Sequence, residues 1–557
     1  MLDIILKGAS FEGLEPLTER AVRSASRLNG DMSFGDVSVN FRYLADTLSV
    51  DMGLCERLLT DFFQRNRYVE RVESASVFVN LFLRRDKMAE ELLARYSANG
   101  IGGRTLAGRT ALVEHTSATP IAPPHIGRIH NTVIGDATVR LLRFLGAEVS
   151  AHYFVNDMAK QIAITVTACG GAEGIDFHNM LEAFRSASER LATDAELEKS
   201  VRERLNKLES GDADTVKEFR RIVSECIEGH KRIFADMRIY FDSFDYESKY
   251  ITDGSVDRIV SDLKERGRIS VSPDGAVSVI LDTEKDGERV LFPLTRENGT
   301  SLYSLRDICY SIDKARRGAD INVVVLGEEQ IPHYKKVSEV LKVLGYRNAD
   351  CVSYAHLDSS VTVYSTKQGR GMITEDVADG IAESLSLAYG HRMDGASIRA
   401  MAYGIIKFEL LRWDNRHNAV FDADKLCSGG GGDCGATVYA CVRAGSLIRK
   451  YEETIKRGTD PSYEVYQSDE SVWELLRECC RFPSVLDSTV KSGYQFSKLC
   501  LYLIALSKKF SSLYERVRII DGAYADRRDA VILLVRLVRD ILKDGLGILG
   551  IDVPKEM

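Results

Sequence analysis

One abrupt change of pattern between Thr110 and Leu145 constrains the fold of this chain more than any other feature. TALVEHTS (110–117) is an apolar run of strand length, and ATPIAPPH (118–125) then holds Pro120, Pro123 and Pro124, three of only ten prolines in the sequence. From Ile129 onward Ile129, Val133, Ile134, Ala137, Leu141, Leu142 and Leu145 recur at three- and four-residue steps, the signature of an amphipathic helix. Proline fixes φ and disfavours helix in the residue before it, so Pro123-Pro124 hold the approach extended and delay helix onset until after Gly127. EVSAHYFV (148–155) returns to a strand pattern. Strand, loop, helix, strand is the alternation of a parallel sheet with helical crossovers.

The alternation resumes at INVVVLG (321–327), a buried-strand run followed by a helix, after a charged helical insert at roughly 180–245. A Rossmann-like α/β domain with a helical insertion is therefore expected over 106–388. Residues 1–105 mix helical periodicity (LTERAVRSASRL, MAEELLARY) with the β-like runs DVSVNFRYL and SVFVNLFLRR and end in ANGIGGRTLAGRT. They read as a small N-terminal α/β domain with a Gly-rich linker. From 389 to 557 the apolar stripes are helical almost throughout, as in IRAMAYGIIKFELLRW and RRDAVILLVRLVRDILKDGLGIL. That region reads as a C-terminal all-α bundle.

Composition excludes several function classes. No window reaches an uninterrupted apolar span of membrane length, and the N-terminal MLDIILKGASFEG carries polar residues too early for a secretory signal, so the expectation is an intracellular, cytoplasmic chain with no membrane partner. Eleven cysteines include no C-x-x-C pair, and Cys427, Cys434 and Cys441 are too widely spaced for a zinc knuckle; reduced buried thiols and no structural metal are expected. With a net charge of −8 the chain cannot coat nucleic acid through global charge. A nucleic-acid partner needs local basic surface, for which Arg443, Arg449, Lys450 and the set Arg527, Arg528, Arg536, Arg539 and Lys543 are candidates.

In an open α/β sheet the ligand sits at the carboxyl ends of the strands, where a helix N-terminus offers backbone N–H groups to a phosphate. His125-Ile-Gly-Arg128 lies in such a turn: Gly127 lets a nucleotide approach the backbone, and His125 can donate to phosphate oxygens as charge develops on them. On spacing alone a capped turn with an ordinary polar histidine accounts for the same residues. The surroundings decide between them. VEHTSATPIAPPHIGRIHNTVIGDATVRLLRFLGAEV resembles the first signature block of the class I aminoacyl-tRNA synthetases, and within them that of the arginyl-tRNA synthetases, with His125-Ile-Gly-Arg128 at the "HIGH" position. HYFVNDMAKQ (152–161), NGTSLYSLRDICYSIDK (298–314), VVVLGEEQ (323–330), AYGIIKFELLRWDNRHNAVFD (402–422) and the tail DGLGILGIDVPKEM are similar to further blocks of that family, in order, over about four-fifths of the chain.

The resemblance implies an ATP-dependent ligase that forms arginyl-adenylate, releases pyrophosphate and passes arginine to the 3′-terminal adenosine of tRNA(Arg). It implies L-arginine, ATP with Mg2+ and tRNA(Arg) as partners, a monomer, and an N-terminal domain touching the tRNA elbow. It assigns His125, Gly127, Arg128, Lys367 and Arg370 to catalysis and His125, Gly127, His130 and Lys367 to ATP. Glu114, Ser117, Thr119, Tyr303, Asp307 and Gln330 fall to arginine, and Tyr439, Arg443 and Met557 to tRNA. Elementary chemistry agrees for arginine: a planar, always charged guanidinium calls for buried acids, and Tyr303 and Asp307 are one helical turn apart on a shared face.

Departures from the family pattern are specific. Thr119 stands where an Asn is usual and Ala122 where many members carry Lys; the second signature, "KMSKS" in the class, is reduced to Val363-Tyr-Ser-Thr-Lys367 followed by Gln-Gly-Arg370. These features support the rival reading, a non-catalytic tRNA-binding relative. Cys427-Ser-Gly-Gly-Gly-Gly-Asp-Cys434 lacks the Lys-Ser/Thr of a P-loop and follows no strand pattern, so it reads as a flexible loop leading into the helix of Tyr439 and Arg443.

Overall fold

The structure, a computed structural model, describes residues 1–7, 17–116, 118–170, 177–282, 289–355, 373–418, 421–428, 431–455, 461–517, 519–520 and 527–557. They form two compact units, one built from 102–442, 484–504 and 543–557 and the other from 1–101, 443–483 and 505–542.

The larger unit contains a five-stranded parallel sheet made of β1 (Thr110–Glu114), β2 (Glu148–Val155), β3 (Ser243–Tyr246), β4 (Ile321–Gly327) and β5 (Asp350–Tyr354), in the spatial order β5-β4-β1-β2-β3. β1, β2 and β4 fall on the runs read from the sequence. β3 does not: its four residues, SFDY, close what reads as the end of the helical insert. Glu114, the last residue of β1, lies opposite Val324 of β4 and His152 of β2. The chain leaves β1 for β2 on one side and returns to β4 on the other, so a topological switch point opens between the carboxyl ends of β1 and β4.

Helix α1 (Ile126–Phe144) starts earlier than the proline argument predicts. His125 is its N-cap in extended conformation, and the imidazole Nδ1 accepts the Gly127 N–H at 3.1 Å. A side-chain acceptor at that place satisfies a first-turn donor, which lets the helix begin directly after the cap.

The insertion comprises helices Phe177–Arg190, Ala195–Glu209 and Ala213–Asp236. After β3 the chain also builds a three-stranded antiparallel sheet, Ile269–Val271, Val277–Asp282 and Arg289–Pro293, which the sequence pattern did not announce. Val279, Leu281 and Phe292 of that sheet pack with Leu305 and Ile308 of α2 (Tyr303–Arg316) and Val337 of α3 (Ile331–Leu344) in one buried cluster. Helix α4 (Gly395–Leu411) belongs to the same unit.

In the smaller unit, strands Ser26–Leu28, Val37–Asn40, Phe78–Leu83 and Val69–Ala75 form an antiparallel sheet in that order. The run DVSVNFRYL is strand only as far as Asn40, whose side chain accepts the Tyr43 N–H and opens helix Phe41–Leu48. The expected C-terminal helices are present, including Glu470–Cys479 and Arg528–Ile548. Within this unit the buried Asp36 accepts from the Trp473 indole at 2.7 Å and from the Leu83 N–H at 2.9 Å, and pairs with Arg85 at 3.2 Å.

Candidate active site

At the switch point the strand ends are fixed by one buried side chain. Asn131 of α1 accepts the Thr116 N–H at 2.5 Å and donates to the Val325 carbonyl of β4 at 2.8 Å, so it ties both ends to the helix that follows the proline loop. Thr116 is held at φ +75°, a left-handed conformation unfavourable for a β-branched residue. Its hydroxyl donates to Thr132 at 3.0 Å. The neighbouring His115 is buried against Phe241, with ring centroids 4.7 Å apart, and burial lowers its pKa to about 4.

The proline loop is stapled from three sides. His230 Nε2 donates to the Ala122 carbonyl at 2.9 Å, the Tyr153 hydroxyl donates to the Ala118 carbonyl, and Thr374 donates to the Pro124 carbonyl through its hydroxyl at 2.7 Å. His125 additionally bridges to Ile373 in antiparallel fashion. Its pKa is lowered by burial and by the nearby Arg128 and Arg185 guanidinium groups. Because Nδ1 accepts from Gly127, the neutral ring carries its proton on Nε2. A Cβ on Gly127 would meet only that imidazole, at 3.5 Å, and the Gly127, Arg128 and Ile129 N–H groups all bond within the cap to His125, so the donors this helix start turns to an anion are the exposed side chains of His125 and Arg128.

Beside this lies a cluster of acids. Tyr303, Asp307, Tyr310 and Lys314 recur along α2 as one stripe. Asp307 bonds His333 Nε2 of α3 at 2.9 Å, and the Tyr303 ring lies 5.1 Å from the His333 ring. Glu114 pairs with Lys314. Glu247, immediately after β3 and fully buried, pairs with Arg306 at 2.6 Å, while its Oε2 has no hydrogen-bond partner. Burial, reinforced by Asp157 and Asp307, raises the Glu247 carboxyl to about 7 despite Arg306. Burial likewise raises Glu114 against the pull of Lys314. Although Tyr303 is 36% exposed, its hydroxyl pKa is pushed well up by desolvation and by Asp307, Glu247 and Glu114. A pocket so rich in carboxylates with an unspent acceptor attracts a cation.

The other residues singled out from the sequence fall as follows. Gln330 ends the 3-10 turn Glu328–Gln330 just beyond β4 and is half-buried, as is Thr119 in the proline loop. His130 is buried, edge-on to Tyr354 of β5 at 5.1 Å. Tyr439 and Arg443 lie one turn apart on helix Gly432–Thr454; Arg443 sits over the Tyr514 ring at 4.6 Å and 3.8 Å from Glu515. Met557 is buried, with its carbonyl accepting from Arg392 at 3.1 Å. Ser117, Lys367, Arg370 and Gly429–Gly430 of the glycine run lie outside the described residues. Glu247, Arg306, His333 and Lys314 were not anticipated. The signal for Lys314 was available, since it continues the Tyr303–Asp307 spacing at i+11; Glu247 and His333 had none.

Comparison with known proteins gives concordant findings. The family model for "tRNA synthetases class I (R), catalytic domain" matches residues 93–385, and that for "DALR anticodon binding domain" matches 437–557. The arginine–tRNA ligase of Methanothermobacter thermautotrophicus is 28% identical over 88% of this chain and 87% of its own length. That of Methanocella arvoryzae is 28% identical over 97% and 98%. Among solved structures, Thermus thermophilus arginyl-tRNA synthetase superposes with a TM-score of 0.79 at 21% identity, covering 97% of this chain and 98% of that one. The Plasmodium falciparum enzyme gives 0.74 at 16% identity, covering 97% of both.

Proposed function

We propose, from the premise that the chain belongs to the class I arginyl-tRNA synthetases, how its own residues carry that family's reaction. The chain is an arginine–tRNA ligase that uses ATP, L-arginine and tRNA(Arg). An oxygen of the arginine carboxylate attacks the α-phosphorus of ATP, the bond to the bridging oxygen breaks, and pyrophosphate leaves. A hydroxyl of the tRNA's 3′-terminal adenosine then takes the arginyl group from the adenylate, releasing AMP. Catalysis is positioning and charge stabilisation, since the substrate supplies the nucleophile.

The observation that carries the reading is the acid cluster of Asp307, Glu247 and Glu114 around Tyr303, beside the start of α1. In this reading the guanidinium lies against Asp307 and Tyr303, with Glu247 as a further carboxylate, while Glu114, Ser117, Thr119 and Gln330 serve the remaining polar groups. His125 through Nε2–H and Arg128 through its guanidinium meet the phosphates, Gly127 leaves room for their approach, and His130 is assigned to ATP with them. Lys367 and Arg370 supply the cations for leaving pyrophosphate. Among the described residues no group of three or more His, Cys, Asp or Glu side chains could hold a metal, so Mg2+ is assigned as the counter-ion of ATP, with no step routed through it.

Residues 1–105 are assigned to the tRNA elbow, 106–388 to catalysis and 389–557 to the anticodon arm. There an arginine and an aromatic one turn apart suit unpaired bases, and the buried side chain of Met557 limits its part to the main chain. A cytoplasmic monomer completes the proposal; no helix among the described residues is long and apolar enough to cross a membrane. The non-catalytic reading is disfavoured, because the relatives matched over nearly their whole length are ligases. The test is ATP–pyrophosphate exchange with each amino acid, with and without tRNA. Exchange with arginine alone, dependent on tRNA, is expected. Exchange with another amino acid would overturn the substrate assignment, and none at all would restore the binding-protein reading.

A further inference from the structure

Glu114 closes β1 at the switch point, and the ammonium of Lys314 meets its Oε2 directly. The two side chains are 13% and 3% exposed, so each is the other's replacement for water. Lys314 lies two turns beyond Asp307 on the same stripe of α2, and its Nζ rests 4.6 Å from the centre of the Tyr310 ring. Tyr310 is itself pinned, stacked on Phe154 at 4.2 Å and donating to Asp245 at 3.1 Å. Asp245 is held by His152 at 2.7 Å and by Ser243 at 2.7 Å. Lys314 is therefore a preorganised internal cation beneath the pocket, oriented by residues from three strands and one helix.

We propose that Lys314 is a positioning residue for amino-acid binding, keeping the Glu114 carboxylate anionic and aimed at the substrate without touching the substrate itself. The proposal rests on the assignment of Glu114 to the arginine site. The charged groups facing Glu114 make the need plain. Asp307 on α2 and Asp245 on β3 both oppose its ionisation, as does burial. Cys351 on β5, an exposed residue, and Tyr334 on α3 also face it, and the pKa of each is raised above its ordinary value by desolvation and by the Glu114 charge. Lys314 works in the opposite direction. Without it, an enclosed carboxyl among like charges takes up a proton, and a neutral acid loses most of its attraction for the cationic substrate.

The test uses the full-length enzyme in aminoacylation with saturating ATP and tRNA, reading KM for arginine and kcat from pH 6 to 8.5. Lys314→Met is expected to raise KM about tenfold or more at pH 7, with kcat changed much less. The defect should shrink as pH rises, because Glu114 regains its charge; the wild-type KM should vary less over the same range. Lys314→Arg keeps the cation and should restore the wild-type profile. A KM defect of constant size at every pH would mean a merely structural role and overturn the proposal. The double variant Glu114→Gln/Lys314→Met removes both charges, leaves no buried ion unpaired, and serves if the single variant does not fold. It should match Glu114→Gln alone; a double variant far worse than that single one would overturn the proposal, since Lys314 would then act other than through Glu114. Glu114→Gln with an unchanged KM would instead refute the site assignment beneath it.

Discussion

Gly135 sits in the middle of α1, where glycine is the poorest helix former short of proline, and replacing it by alanine would ordinarily stabilise the helix by up to about 1 kcal/mol. Here the opposite is expected. A Cβ at this position would lie 2.2 Å from both Cβ and Cγ of His115 and 2.6 Å from its Nδ1, whereas carbon atoms pack at about 3.5–4.0 Å. His115 cannot swing away: it is 2% exposed, lies against Phe241, bonds the Thr116 hydroxyl at 3.0 Å and donates its main-chain N–H to the His152 carbonyl at 3.0 Å. The helix must move off the sheet by more than 1 Å. Asn131, one turn earlier, then loses its grip on Thr116 and Val325.

Overpacking contributes about 1–3 kcal/mol, and two buried hydrogen bonds about 1 kcal/mol each. After subtracting the gain in helix propensity, Gly135→Ala should destabilise the larger unit by about 3 kcal/mol. The displacement also carries His125 out of place, and a 1 Å misplacement can lower the rate about a hundredfold. Urea unfolding and arginine-dependent pyrophosphate exchange measure the two effects. Gly445→Ala is the control: the nearest atom its Cβ would meet is Arg449 Nη1 at 3.7 Å, so it should be neutral or stabilising. A Gly135→Ala protein as stable and active as the wild type would refute the reasoning, since the strand end would then have to yield without consequence.

Three other outcomes can be checked. Asp307→Ala should lower kcat/KM for arginine roughly a hundredfold, about 3 kcal/mol, by leaving the guanidinium without its carboxylate, while urea unfolding shows the fold intact. Lys407, 1% exposed, donates to the Met237 and Gly550 carbonyls and lies 3.6 Å from Asp136, and burial lowers its pKa to about 8. Above that value the unfolded chain binds the extra proton, so the stability of wild type relative to Lys407→Met should grow as pH rises from 8 to 10, read by urea midpoints; a shrinking difference would contradict the assignment. Thr374→Val deletes the 2.7 Å bond to the Pro124 carbonyl at a site with no solvent access. It should cost about 1 kcal/mol of stability and slow adenylate formation in single turnover more than it weakens ATP binding.

The central sheet was legible wherever one periodicity ran long enough to be unambiguous. β1, β2, β4 and α1 are such runs, and the proline pair between β1 and α1 marked the loop that carries the site. β3 was hidden because four residues cannot display a period, and because Phe244 and Tyr246 are only half-buried. Strand Val37–Asn40 was read too long because Phe41, Tyr43 and Leu44 suit a strand as well as a helix; the capping side chain of Asn40 decided it. The α1 boundary moved for the same reason, a side chain serving as backbone partner. Local hydrogen bonds of this kind override propensity at element ends.

The pocket was legible by halves, and the division follows electrostatics. Tyr303 and Asp307 share a helix face by i,i+4 spacing, but their role in the pocket, like that of Glu114, was legible only through the family resemblance. Their partners were not, because Arg306, Lys314 and His333 read as ordinary polar residues until the fold brings them inside. Yet three carboxylates cannot share one buried site unless each is compensated, since an isolated buried charge costs several kcal/mol. Each has its partner: Arg306 for Glu247, Lys314 for Glu114 and His333 for Asp307. Of the three partners Lys314 and Arg306 are nearly inaccessible, whereas His333 is 28% exposed and is the one that solvent reaches most readily. An incoming guanidinium therefore meets least resistance at Asp307, while the other two pairs keep the remaining acids fixed.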